Sequence, residues 1–472
     1  LLLAALVLRG DTLGDPNLHG DESFYHTVAL AMHHGAIPYV DVWDRKPFGL
    51  FALYYLISAI SASPLAYQLA ALGCAAGTAW AIAGITRAMA GDGDAGVRGG
   101  LLAGLAYLLW LAPMQGFGGQ SPVFYNLFIA LAALLVVRAL PALRRGEVPG
   151  ASHAAMALAG IGITIKTTAL FEAAFLGLWC FGVLWRSGAP RALVARSAAI
   201  WALIGAAPAL AIAAGYAAIG HWPEYWHAMV ASNLDKAADW PTALYRLRLL
   251  MLALSPLLLL AMLGLLRGRF AERGFLLGWL AAAVIGLCAV PNFYPHYALP
   301  LMVPLCVLAS GFLSRGLAGA GAVAALALFS ITIASPFRYG QPARSQAALD
   351  ALVAAVRAHK GAGPLFLYAA PPQLYALTGQ PFPTPLVFPT HLSHLIEKDV
   401  SHLSTLGETH RVLAMRPGVV VMAVTLRNGP GNEETHREVL RYVGRHCRLA
   451  SVVKAIERQR EDWMAIWGDC EP

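Results

Sequence analysis

The chain has 472 residues, of which 58% are hydrophobic and only 13% are charged. Soluble domains carry roughly a quarter charged residues, so the row of soluble domains that length alone would suggest gives way to a polytopic membrane protein. The net charge of +8 would raise nucleic acid as a partner for a soluble protein. Here the arginines sit mainly in short loops between apolar runs, so membrane topology accounts for them and no nucleic acid is expected.

In chain order, the opening run LLLAALVL is too short to cross a bilayer, which takes about 20 residues. It reads as the end of a first span that begins upstream. A cleaved signal peptide is the alternative, but no basic n-region or clear cleavage site is present. Further apolar runs occupy 65–86, 98–113, 123–140, 152–169, 170–185, 197–219, 249–266, 274–290, 297–314 and 317–335, which makes about eleven spans. Arg87 and Arg98; Arg138, Arg144 and Arg145; Arg186, Arg191 and Arg196; Arg267, Arg269 and Arg273; and Arg315 mark alternate loops. The positive-inside rule makes that side cytoplasmic, with the N-terminus on it. The opposite side then holds 9–64, 114–122, 220–248, 291–296 and everything from 336 onward. FGLFALYYLISAI (48–60) is apolar but short. It reads as a helix lying in the outer interface, with a short true span as the alternative.

From 336 the composition changes. RSQAALDALVAAVRAHK (344–360) and HREVLRYVGRHC (436–447) have helical spacing. PLFLY, GVVVMAV, RLASVVK and DWMAIW, beginning at 364, 418, 448 and 462, read as strands. The alternation predicts an α/β domain over 336–472, outside the membrane, following a membrane domain over 1–335. Four of the six cysteines lie in apolar spans, where a buried thiol is ordinary. Cys447 and Cys470 are the pair in the outer domain, and a disulfide between them is permitted by an oxidising compartment but not decided by spacing.

The densest polar chemistry is in GDESFYHTVALAMHHGAIPYVDVWDRKPFG (20–49). Helical spacing places Glu22, His26 and His33 roughly on one face. A carboxylate at a membrane surface can take a proton from a hydroxyl, and a lysine beside an arginine can neutralise a phosphate leaving group. That pairing suits transfer of a group from a lipid-linked phosphate. A solvated loop whose Lys46 and Arg45 bind anionic lipid is the plainer alternative. Asp21 could instead cap a helix, Lys46 could be an interfacial anchor, and Asp44 could pair with Arg45. Lys166 interrupts an apolar stretch, where an ionisable group suggests function unless it snorkels. His296 and Tyr297 stand at the mouth of a span, as anchors or as substrate contacts. A metal site from His26, His33 and His34 is the lesser alternative, so no metal and no cofactor is expected.

This loop resembles the first outer loop of the GT-C membrane glycosyltransferases, in the branch of the protein O-mannosyltransferases and the lipid A aminoarabinose transferase. Asp21-Glu22, Gly35 to Asp41 and Lys46-Pro47 carry the likeness. GIGITIKTTALF (160–171), YPHYALPLMVPLCVLASG (294–311) and APPQLYALTGQP (370–381) extend it along nearly the whole chain. The resemblance implies an inverting transfer from a polyprenyl-phosphate-linked sugar to a hydroxyl of an envelope lipid, polysaccharide or protein, at the outer face of a bacterial inner membrane. It makes Asp21 the general base and Glu22 its assistant, with Lys46, Lys166 and Arg45 on the donor phosphate. His296, Tyr297, Asp41 and Asp44 are further candidate substrate contacts. Two departures stand out. Phe48 replaces the second proline of the Lys-Pro-Pro element, and MQGFGGQSPVFYN (114–126) lacks the family's second-loop carboxylate. A lipid or glycan transporter, or a non-catalytic envelope assembly protein, is the rival reading. The aromatic loop 221–248 suits sugar rings or, better, the membrane interface.

Overall fold

The computed structural model describes residues 1–472 except 92, 235–238, 269, 428, 459, 471 and 472. Arg269 of the topology argument and part of the 221–248 loop therefore lie outside the described residues. The helices in order are α1 (Leu2–Arg9), α2 (Gly20–Met32), α3 (Phe48–Ile60), α4 (Pro64–Ala90), α5 (Asp94–Leu111), α6 (Ser121–Arg144), α7 (Gly150–Ile165), α8 (Ala169–Arg186) and α9 (Arg191–Ala218). Short α10 (Trp222–Trp226) and α11 (Ser232–Leu234) flank a π-helical turn at His227–Ala231. Then come α12 (Trp240–Arg267), α13 (Arg273–Cys288), α14 (Leu299–Leu313) and α15 (Gly316–Ala334).

Every apolar run expected to span is helical. Among the described residues seven helices are long and apolar enough to cross a membrane: α4, α6, α8, α9, α12, α14 with its leading turn, and α15. The shorter apolar helices are α3, α7 and α13. Two boundaries differ from the sequence reading. The run 152–169 breaks early: α7 ends at Ile165, and Lys166 is extended at φ −150° and ψ 122°. Lys166 thus sits in the α7–α8 connection, where it interrupts no helical hydrogen bonds. Helix α12 starts nine residues before its apolar run because the Asp239 carboxylate accepts from the Thr242 N–H, with a proline in the first turn.

Contacts divide the chain into two compact units. The first comprises Leu1–Gly10, Leu69–Ile212 and Ala238–Arg338 and holds most of the long apolar helices. Close backbone approach organises part of it: a Cβ on Gly264 of α12 would lie 2.0 Å from the Leu308 carbonyl oxygen of α14, so only glycine fits that crossing.

The second unit comprises Asp11–Gln68, Ala213–Ala237 and Tyr339–Pro472. It adds α16 (Gln341–Ala358), β1 (Leu365–Tyr368), α17 (Gln373–Thr378), α18 (Thr405–Ala414), β2 (Val419–Ala423), α19 (Glu433–His446), β3 (Arg448–Glu457) and β4 (Arg460–Gly468). The sheet order is β1-β2-β4-β3. β1 and β2 are parallel, and β3–β4 is an antiparallel hairpin laid against β2. β1 and β2 are buried at every position, which is why they read as continuous apolar runs rather than alternating ones. Cys447 and Cys470 form a disulfide. α3 packs against α2 through Leu50, Phe51 and Tyr54, while Leu56 and Ile60 are exposed. At 13 residues it is shorter than a bilayer-spanning helix.

Candidate functional site

In the second unit the site is built on the start of α2. The helix is capped by His19, whose Nδ1 accepts the Asp21 N–H at 3.2 Å. Asp21 is therefore not the cap; it lies in the first turn with Glu22, where the helix dipole favours acidic groups. Glu22 is fully buried.

Across from them is the segment that ends in Lys46. Tyr39, fully buried, donates its hydroxyl to the Lys46 carbonyl at 2.8 Å, which fixes the chain entering Pro47. The Lys46 ammonium stands 3.8 Å from an Asp21 oxygen and 3.5 Å from an Asp44 oxygen. Asp44 also accepts the Lys46 backbone N–H at 2.8 Å. The rings of Tyr25 and Phe388 flank the ammonium at 5.4 and 5.5 Å, within cation–π range.

Behind Asp44 lies His391, whose Nε2 is 3.6 Å from Oδ2 of Asp44. Burial pushes the His391 pKa down to about 4, against the opposing pull of Asp44, so the ring is neutral at neutral pH. Asp44 and Arg45 do not pair with each other. Arg45 is held by both oxygens of Glu397 at 2.7 Å. Asp41 turns away and accepts the Ile37 N–H at 2.7 Å, closing a local turn.

The histidines of α2 do not converge. His26 packs beside Tyr67 at 5.5 Å. His33 stacks on Tyr55 at 4.1 Å, with its Nε2 3.0 Å from the Ser58 hydroxyl. Among the described residues no group of three or more His, Cys, Asp or Glu side chains is placed to hold a metal ion.

In the first unit, the Lys166 ammonium lies 4.9 Å from the centre of the Tyr297 ring. The two line a cavity with Tyr125, Thr168 and Glu172. Glu172 accepts the Trp279 indole N–H at 2.7 Å. His296 is buried, with Nδ1 3.4 Å from the Gln115 amide oxygen and its ring stacked on Tyr294 at 5.8 Å. Arg246 lies 4.3 Å from the Tyr294 ring.

Asp21, Asp44 and Lys46 are thus brought together, with Glu22 buried in the same helical turn as Asp21 and Arg45 directed to Glu397, while Lys166 and Tyr297 form a second constellation in the other unit. Phe388, His391 and Glu397 were not singled out in the sequence. The only signal for His391 and Glu397 is the polar run THLSHLIEK (390–398) within an otherwise apolar, proline-rich stretch, and Phe388 just before it carries none.

The fold is that of a polytopic GT-C-type membrane protein carrying a small C-terminal α/β domain. Among solved structures, the chain is similar to ArnT from Cupriavidus metallidurans bound to undecaprenyl phosphate, with a TM-score of 0.62, and to the same protein in the apo state, with a TM-score of 0.57. Each match has 13% identity and covers 98% of this chain and 96% of the other. No protein-family model and no curated protein matches.

Proposed function

We propose that the protein is an inverting membrane glycosyltransferase. It moves a sugar from a polyprenyl-phosphate donor to a hydroxyl of a cell-envelope lipid, polysaccharide or protein, on the outer face of the bacterial inner membrane. The observation that carries this reading is the Asp21 carboxylate facing the Lys46 ammonium at 3.8 Å. The Asp21 carboxylate takes the proton from the acceptor hydroxyl as its oxygen attacks the anomeric carbon. The bond from that carbon to the phosphate oxygen breaks, and the electron pair leaves with the polyprenyl phosphate. The products are the glycosylated acceptor, the free polyprenyl phosphate and a protonated Asp21. The leaving group departs as an anion, so a fixed cation stabilises it without a general acid.

Lys46 supplies that cation. It stands 3.8 Å from an Asp21 oxygen and 3.5 Å from an Asp44 oxygen, and a phosphate oxygen seated beside it would share its charge with them. Arg45 is held at 2.7 Å by Glu397, so the reading rests on Lys46, with Lys166 a further donor-phosphate candidate that the family resemblance implies. Glu22 orients Asp21. His296 and Tyr297 line the path of the donor, and Asp41 and Asp44 border the acceptor side. No metal or cofactor takes part. In this reading the N-terminus is cytoplasmic, residues 1–335 make up a membrane domain and residues 336–472 an extracytoplasmic domain.

The similar protein ArnT was solved with undecaprenyl phosphate bound, which supplies the probe. Native mass spectrometry of the wild type beside Lys46→Ala is expected to show undecaprenyl phosphate retained by the former and weakened in the latter. Equal retention would turn the reading towards a non-catalytic or transport role.

A further inference from the structure

A cavity separate from the Asp21–Lys46 pair opens in the second unit at the C-terminal ends of β1 and β2. Ligands favour that end of parallel strands, because the loops leaving the strands diverge there. Pro371 and Pro372 after β1 and Met464 of β4 give it apolar walls. Glu457 and Asp462 of the β3–β4 hairpin, with Thr425 after β2, give it a polar rim.

The cavity is joined to the start of α2. Glu457 accepts the Gly20 N–H at 2.9 Å. Asn17 donates to the Ile456 carbonyl at 2.9 Å and accepts from Gln373 at 2.9 Å. Asn17 and Gly20 themselves line the cavity, and the residue after Gly20 is Asp21. A ligand seated there lies beside the turn that carries the proposed base.

The chemistry of the lining selects the ligand class. Flat C–H surfaces beside carboxylates and hydroxyls match a sugar ring, which presents an apolar face and an edge of hydroxyl donors. The Arg427 guanidinium is paired with Asp462 at 2.5 Å, which leaves no surplus of positive charge to select a phosphate. We infer that this cavity is the subsite holding the saccharide portion of the acceptor, so that a hydroxyl of the held molecule reaches Asp21. This inference rests on the glycosyltransferase reading above.

The test places a photo-cross-linking amino acid at exposed Thr425 of the full chain in its host membrane, with exposed Arg437 on α19 as the control position. Irradiation is expected to yield an adduct containing hexose or hexosamine by mass spectrometry, at least fivefold above the control. Glu457→Gln, which keeps the shape and the acceptor for Gly20, is expected to cut that adduct severalfold. No adduct above control, or an adduct of phospholipid alone, overturns the inference. Binding of undecaprenyl phosphate by the same preparations is measured in parallel. If donor binding persists while capture fails, the subsite is wrong and the transferase reading survives. If saccharide is captured while Lys46→Ala leaves donor binding unchanged, the transferase reading fails, and the assignment as an acceptor subsite falls with it although the cavity binds saccharide.

Discussion

The Lys46 ammonium lies 3.8 Å from the Asp21 carboxylate, although 25 positions of chain separate the two residues. One comes from the first turn of α2, the other from the extended segment before α3. A base and a cation meet here in one ion pair, and an inverting displacement would part them, because attack comes from the face opposite the leaving phosphate.

Replacing Asp21 by Asn removes the proton acceptor while keeping the side-chain shape. Transfer is expected to fall by roughly 10²–10⁴-fold, the usual span for a general base, with undecaprenyl phosphate still bound. Glycan analysis of the host envelope, alongside native mass spectrometry, reads both quantities. Unchanged glycan products would remove Asp21 from the mechanism.

Loss of the Lys46 charge acts on donor affinity. A hydrogen bond to a charged group is worth about 1.5–3 kcal/mol, so Lys46→Ala is expected to weaken undecaprenyl phosphate binding roughly ten- to a hundredfold. Lys46→Arg keeps the charge and is expected to recover part of that loss. Titration of the lipid into purified protein separates the three forms.

Acid should weaken the second unit through two buried histidines. Burial lowers His391 to about 4, and it lowers His26 to about 4 despite an opposing hydrogen bond at Ala62. An unfolded histidine titrates near 6.5. Above pH 6.5 neither state binds the proton and the full stability is present. As pH falls from about 6.5 towards 4 the unfolded chain takes up protons that the folded ring refuses, so stability is lost. The loss approaches roughly 3 kcal/mol per histidine. Thermal unfolding across pH 4–8 is expected to show this slope, and His391→Gln is expected to flatten it.

The disulfide from Cys447 to Cys470 closes a loop with a sequence separation of 23. Chain-entropy arguments give such a crosslink roughly 3 kcal/mol. Cys470→Ser is therefore expected to lower the unfolding temperature of the α/β domain and to speed its proteolysis. Adding reductant to the wild type should reproduce the effect, while the mutant should not respond.

Glu397 holds Arg45 across 352 positions of sequence. Both side chains are largely buried, at 16% and 9% exposure, and removing one partner of such a pair costs roughly 3 kcal/mol. Glu397→Ala is expected to loosen the loop that carries Lys46. Hydrogen exchange over residues 37–47 should rise, and a double-mutant cycle with Arg45→Ala should show coupling.

Hydropathy located the apolar helices and the buried strands, although seven described helices rather than about eleven are long and apolar enough to cross a membrane, because an apolar surrounding leaves a signature within each local run of sequence while helix length depends on where the chain turns. The loop 20–49 was also legible as the densest cluster of charge, conspicuous in so apolar a chain, and the structure gathers Asp21, Asp44 and Lys46 from it. The end of α7 at Ile165, and with it the placement of Lys166 in a connection, was not readable from hydropathy, since isoleucine and threonine on either side are apolar enough to continue the run.

Only the tertiary structure decided the partners. Nothing in DVWDRK reveals that Asp44 meets Lys46 and His391 while Arg45 turns to Glu397. Nor does it reveal that His19, rather than Asp21, caps α2. Local pattern reports which face of an element is buried. It does not report which distant segment covers that face, and the pairing of charges follows from that second fact.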